Sequence, residues 1–540
     1  MPPGGGLKGA RLVSRVLGLS LKGLPRLGRR LLAGAVLLVA LAAGAGSGRP
    51  APVAHAAWAF GIENSWIRVQ NIGDAPATVQ VDYFDEAGNL IARDTCPTAF
   101  VCPALGPGEG WTFFTRNSPA LPIGFQGSAV VTTDQPIVAI LAKDVTRGPF
   151  FLIAGDSVTV GAGSHRLYLP LVSNQDGPFS DWNGRFTIQN LSESTTVCVT
   201  ITYISNYTDS EVSWDPYRPD SGTAPLAGCP NGGRPLPPRG SIFRDPDTMG
   251  VSSGFTGSVR IDTHTNAAGV PPSRQFIAAS ADTWNRLFNP FSSYRGLDEG
   301  ELDSTLLLPL MDREVGPLNQ WSTYFQIENR DPRRPADVRI RFEGWDLGQN
   351  PPQFVIKENI LRISAARLCF QNRDDFANCL APGDRLPRNF VGTARLTSTQ
   401  PLGVVVNRSS NLVDVFTSYR AFRPTDGALK VLLPVLNKNY GPYNGRSGWN
   451  SWFRVLVADG GSANVTVRYL GLDLPGGAVA YTQAVNREFT VFQYLEPSLP
   501  NGFAGTAILE SDRPIVALAN LTTDVFFGDT DLLYSGIPLP

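Results

Sequence analysis

Six cysteines, three histidines and 47 acidic residues are the groups in this 540-residue chain able to form disulfides, hold a metal or transfer protons. The cysteines fall as Cys96/Cys102, Cys198/Cys229 and Cys369/Cys379. Zinc sites need regular ligand spacing, usually with histidine. These spacings are irregular, and past residue 60 the only histidines are His165 and His264. Three disulfides are therefore the expectation, and they imply an oxidising compartment. Each pair lies between a strand of alternating pattern and the strands that follow it. That connection is about 28, 39 and 44 residues long in the cysteine-bearing regions and about 20 in the one without cysteine. Loop-closure entropy assigns the largest stabilisation to Cys198–Cys229, on the order of 3 kcal/mol.

Catalytic patterns are few. Gly250-Val251-Ser252-Ser253-Gly254 matches G-x-S-x-G, which requires a strand–turn–helix in an α/β sheet. It overlaps a turn motif found elsewhere in the chain without the serine, so a turn is expected. His264 has no evident triad partners. Asp245-Pro246-Asp247-Thr248 brings two carboxylates close, but the third acid, the glycine and the distal glutamate of a calcium loop are missing. Glycosidase chemistry needs two facing carboxylates, and no pair stands out. No phosphate loop carries a lysine. The expectation is a protein that is not an enzyme and takes no cofactor or metal. Trp111, Trp214, Trp284 and Trp345 could stack on sugars or pack in cores.

Composition narrows the class. Gly 55 and Pro 44 exceed average usage without reaching low-complexity levels, and 42% hydrophobic residues supply real cores. The surplus therefore belongs to turns. Residues 1–56 hold eight basic side chains and no acid, leaving 38 basic and 47 acidic residues in the remainder. An acidic body argues against nucleic acid as a partner. Arginine outnumbers lysine 40 to 6, which fits a hot habitat or a GC-rich genome equally well. The basic start, the apolar Leu31–Ala45 and the small residues at Ala54-His55-Ala56 form a secretory signal. At about 15 residues the apolar run is short for a span, although an uncleaved anchor remains the alternative.

Self-comparison supplies the elements. A proline-centred strand recurs as Leu167–Val172, Leu306–Met311 and Val431–Leu436, followed by a tryptophan strand at Trp182–Asn190, Trp321–Asn329 and Trp449–Val457. Ser65–Asn71 repeats only the second part. An alternating strand follows: Val79/Val81/Tyr83, Val197/Val199/Ile201/Tyr203, Val338/Ile340/Phe342 and Val465/Val467/Tyr469. Period two means one face in a core and one in water. Next come Gly124-Phe125-Gln126-Gly127, Gly254-Phe255-Thr256-Gly257, Phe390-Val391-Gly392 and Gly502-Phe503-Ala504-Gly505. Three regions then carry a polar-proline turn, and Tyr294-Arg295-Gly296, Tyr419-Arg420-Ala421 and Tyr534-Ser535-Gly536 close the last three. Proline inside a strand suggests a sheet edge.

The reading is an all-β chain of four tandem antiparallel β-sandwich (Ig-like) domains after the signal segment 1–56, at 57–163, 164–302, 303–426 and 427–540. This pattern (LPLV, W…IQN, VxVxY, GFxGS, DQPIV) resembles tandem repeats in exported, uncharacterised proteins of Chloroflexi-type bacteria, over essentially all of residues 60–540. The resemblance implies an envelope or secreted β-sandwich protein and carries over no active-site residue. The missing proline strand of the first region and the altered turn near Asn266–Arg274 depart from it. The expected function is a non-catalytic structural or adhesive protein, a stalk or binding array, at the cell surface or secreted. Its partners are envelope components or polysaccharide, and a polysaccharide-binding protein is the alternative; a secreted hydrolase with an unrecognised carboxylate site ranks third.

Overall fold

Backbone polarity and period-two patterning leave this chain one economical solution, antiparallel ladders, and the computed structural model is built of them almost throughout. It describes residues 61–98, 102–158, 163–177, 181–206, 210–214, 229, 233–374, 377–410, 412–471, 474 and 477–539. The signal segment expected at 1–56 lies outside these residues.

The strands pair in four successive sets. In each, an inner sheet orders a short strand, the tryptophan strand, a return strand and an innermost strand. The innermost strands are Phe150–Val158, Phe291–Arg295, Phe416–Arg420 and Asp531–Ser535. An outer sheet orders a hairpin partner, the alternating strand and a glycine-led strand, and sets two to four add the proline strand. In sets three and four the glycine-led and return strands are one continuous strand, Phe390–Ser410 and Phe503–Thr523, that passes from outer to inner sheet. Core side chains come from both sheets, as with Leu169, Val199 and Phe186 in the second set.

The glycine motif has two separate physical causes. Its first position turns the chain at positive φ: Gly124 at 80°, Gly254 at 87° and Gly502 at 86°. The third set uses Asn389 at 61°, asparagine being the side chain that tolerates this region best. The last glycine lets a neighbouring strand approach. A Cβ at Gly257 would sit 1.9 Å from the Ile204 carbonyl oxygen, and Gly127, Gly392 and Gly505 meet the same obstacle. The phenylalanine between them packs edge-on against the last aromatic of the alternating strand, as in Tyr83–Phe125, Tyr203–Phe255 and Tyr469–Phe503. Gly257→Ala is expected to cost ~3 kcal/mol or more through forced backbone movement, measurable as a fall in the urea midpoint.

Two expectations meet the structure here. First, the proline strands do end their outer sheets, paired along their length on one side and by at most two residues on the other. Pro170, Pro309 and Pro434 sit where the ladder skips residues, between Gly257 and Val259 in the partner strand of Pro170 and between Leu308/Met311 and Leu433/Leu436. A tyrosine hydroxyl satisfies the freed backbone: Tyr294 donates to the Leu171 carbonyl (2.7 Å) and accepts from its N–H (3.0 Å). Tyr419 and Tyr534 do the same at Leu310 and Val435. The first set has no proline strand and carries Asp156 at the tyrosine position. Second, the supposed long connections contain the hairpin-partner strands Leu90–Cys96, Ser210–Trp214, Gln353–Ile363 and Ala478–Asn486, and Cys198 belongs to the alternating strand itself.

The sets also close on one another, unlike a linear stalk. Residues Ala59–Pro540 form one compact unit. Leu456 and Val516 of the fourth set complete the core of the third, and Trp66 and Ile140 of the first complete that of the fourth. Phe151 N–H donates to the Phe527 carbonyl (2.7 Å), which joins first set to last. Between the first and second, buried Asp282 takes Lys143 (2.8 Å) and Arg185 (2.7 Å). Burial alone would raise the Asp282 pKa, but these two cations hold it at about 2. Arg295 and Arg420 likewise overcome burial and bring Glu301 to about 2. Both folded values lie below the unfolded ones. The stability they add is complete above pH ~5 and is lost as pH falls toward ~2. Asp282→Asn is expected to flatten that acid limb in urea unfolding measured against pH.

Candidate functional site

A five-residue turn following Trp321–Asn329 builds the most distinctive surface feature. Buried Asn329 holds it, donating to the carbonyls of Asp331 (3.1 Å) and Arg334 (2.8 Å) and accepting from the Asp331 N–H (3.3 Å). An asparagine amide can hold a turn in this way because it both donates and accepts. The turn, Arg330-Asp331-Pro332-Arg333-Arg334, faces Arg166 from the proline strand and Arg260 from the glycine-led strand of the second set. Gln400 and Pro401 complete a cleft of about 470 Å³.

Carboxylates only partly answer its charge. Asp262 pairs with Arg166 and with Arg260 (3.0 Å). Glu299 pairs with Arg330 and lies 3.5 Å from Arg166. Asp331 lies 3.6 Å from Arg334. Among the described residues Arg333 makes no side-chain ion pair, and its backbone N–H binds Asp331 (3.0 Å). Burial works against the charge on Arg166, but Asp262 outweighs it and raises the pKa.

Behind the cleft, at the seam between the second and third sets, lies Glu328. It is fully buried, and neither carboxylate oxygen accepts a hydrogen bond of ordinary geometry. Arg260, Ser258 and Asp262 influence it across the seam. Burial pushes its pKa up to about 8, with Arg260 opposing. Burial likewise lifts the neighbouring Tyr168 to about 12.

The residues singled out in the sequence lie elsewhere. Cys96–Cys102, Cys198–Cys229 and Cys369–Cys379 are disulfides with Cα separations of 5.2, 5.5 and 5.2 Å. Ser252 and Ser253 lie in a turn before Phe255–His264, and Ser253 donates to Gln175 (2.7 Å). His264 ends that strand, its Nε2 2.7 Å from the Thr200 hydroxyl. The Asp245 carboxylate accepts from the Thr248 N–H and hydroxyl. Among the described residues no group of three His, Cys, Asp or Glu side chains is placed to hold a metal ion. Trp284 is buried, Trp111 partly so, and Trp345 is 46% exposed. Sequence reasoning missed the arginine turn, although the run Arg330–Arg334 was visible; without the fold it looks like any solvated charge cluster.

No family model matches the chain, and no curated protein matches it. Among solved structures, that of Thermotoga maritima 1070 is similar over 21% of this chain and 97% of the other, at 14% identity and a TM-score of 0.18.

Proposed function

We propose that this chain is an exported, non-catalytic structural protein of the cell envelope or its surroundings. In this reading four sandwich units, at 57–163, 164–302, 303–426 and 427–540, close into one rigid body. The observation that carries it is the meeting of the four innermost strands. Asp529, in the fourth set, accepts from Ile153 N–H of the first with its backbone carbonyl (2.9 Å). Its carboxyl accepts from Phe291 N–H of the second (2.7 Å) and Phe416 N–H of the third (2.8 Å). Such mutual bracing suits a scaffold better than a hinged chain.

Three disulfides support an oxidising compartment. Among the described residues no helix is long and apolar enough to cross a membrane. The carboxyls whose proton affinity burial raises most, Glu328 and Asp529, are sealed from solvent rather than presented to a substrate. The exposed rings Trp345 and Phe354 meet at 73°, which is not the flat row that favours stacking on a sugar chain.

Cell fractionation with thiol labelling tests the reading. An envelope or extracellular protein without free thiols is expected, whereas a cytoplasmic, reduced one overturns it. Small-angle scattering tests the closure. A closed body of this length has a radius of gyration of about 23 Å, and four units end to end would roughly double it.

A further inference from the structure

We propose that the arginine cleft between the second and third sets binds a multiply charged oxyanion, a ligand carrying two or more phosphate, sulfate or carboxylate groups. Five guanidinium groups line or flank it and three carboxylates pair with them, so a net positive charge remains. Arg330, Arg333 and Arg334 are exposed at its mouth, with Arg334 75% exposed. Apart from two prolines, no apolar or aromatic side chain among the described residues lines the cleft. Recognition there is by charge and planar hydrogen-bond forks, the geometry in which guanidinium matches oxyanions. A volume of about 470 Å³ admits more than one such group.

Internal comparison shows that folding does not require these arginines. Asn71 holds the matching turn of the first set through Ala75 (2.7 Å) and Gly73 (2.8 Å). Asn190 holds that of the second through Thr195 (2.8 Å) and Ser192 (2.9 Å). Those turns read Ile72-Gly73-Asp74 and Leu191-Ser192-Glu193, and the fourth reads Ala458-Asp459-Gly460. The same scaffold thus carries neutral or acidic turns three times and a basic one once, where it faces Arg166 and Arg260.

Isothermal titration calorimetry of the purified chain at low salt tests this with four probes: inorganic phosphate, tripolyphosphate, trigalacturonate and neutral maltotriose. Tripolyphosphate or trigalacturonate is expected to bind, maltotriose not at all, and the tighter of the two anions identifies the source as phosphate or acidic sugar. Replacing Arg333→Ser and Arg334→Ser together should weaken binding at least ~10-fold, and Arg334→Glu alone should do so by a similar factor. Both side chains are exposed, so the unfolding midpoint should not move. Arg513→Ser, at the polar-proline turn of the fourth set, should leave binding unchanged. Binding by neither multivalent anion, or binding that survives the double substitution, overturns the proposal.

Discussion

Glu328→Gln is expected to stabilise the folded chain at pH 8 by about 3–4 kcal/mol and to change little near pH 4. Glu328 has no exposed surface and sits at a seam where Ser258 and Arg260 only weakly offset its burial. Its folded pKa is about 8 against an ordinary value of 4.5. Below pH ~4.5 both folded and unfolded chains hold the proton, and the group is neutral in its effect. Between the two values only the folded chain holds it, so stability falls by about 1.4 kcal/mol per pH unit until the folded group ionises. Glutamine has the same shape and no charge to neutralise, and removes that slope. The corresponding positions of the first, second and fourth sets are Gln70, Gln189 and Leu456, none of them ionisable. Urea midpoints between pH 4 and 9 read the effect directly. A slope unchanged by the substitution would show that Glu328 is charged and partnered in the folded chain.

Asp282 shows why burial alone does not decide such a shift. It is as deeply buried as Glu328, yet two cations from neighbouring strands bring it to about 2. The acid limb therefore belongs to paired carboxylates and the alkaline one to carboxyls whose pKa burial raises, Glu328 and Asp529 among them. Together they place maximum stability near pH ~5.

Much of this fold was legible because its motifs repeat and each repeat answers a backbone requirement. Alternating valines marked strands correctly, and Gly-Phe-x-Gly marked turns that need positive φ and a close approach. Gln353–Ile363 was not legible. Val355 and Leu361 pack inward while Phe354, Ile356 and Ile360 face solvent, so apolar residues on both faces erase the period of two. The proline and tyrosine motifs were each visible, but their link is a hydrogen bond spanning more than 100 residues in the second and third sets. Ring closure left still less trace. Phe416–Arg420 reads as a short polar strand, yet every residue in it is buried, because Ser418 meets Ser292 (2.9 Å) and Arg420 meets Asp156 (3.0 Å) of other sets. Polar residues buried against other strands of the same chain carry no hydrophobic pattern to betray them. The arginine cleft failed to show for a related reason, since its walls come from residues as far apart in sequence as Arg166 and Pro401.

Asp529→Ala is expected to cost about 3–6 kcal/mol and to loosen the joint between all four sets. The side chain is fully buried, and desolvation raises its pKa well above that of a free aspartate. Its Oδ2 accepts the N–H groups of Phe291 and Phe416, which begin innermost strands of two different sets. Alanine would leave both buried donors unsatisfied, at about 1–3 kcal/mol each, and a small void beside them. The equivalent residues of the second and third sets, Asn289 and Asp414, bond to each other at the same junction (2.8 Å). The fourth set alone therefore holds the acceptor shared by its neighbours. Asp529→Asn keeps a carbonyl oxygen in place to accept from both N–H groups, so it should cost within ~1 kcal/mol. Urea unfolding of both variants separates acceptor geometry from charge. If asparagine proves as damaging as alanine, the ionised carboxylate rather than the shared acceptor holds the joint. If alanine is harmless, the junction is held by packing alone.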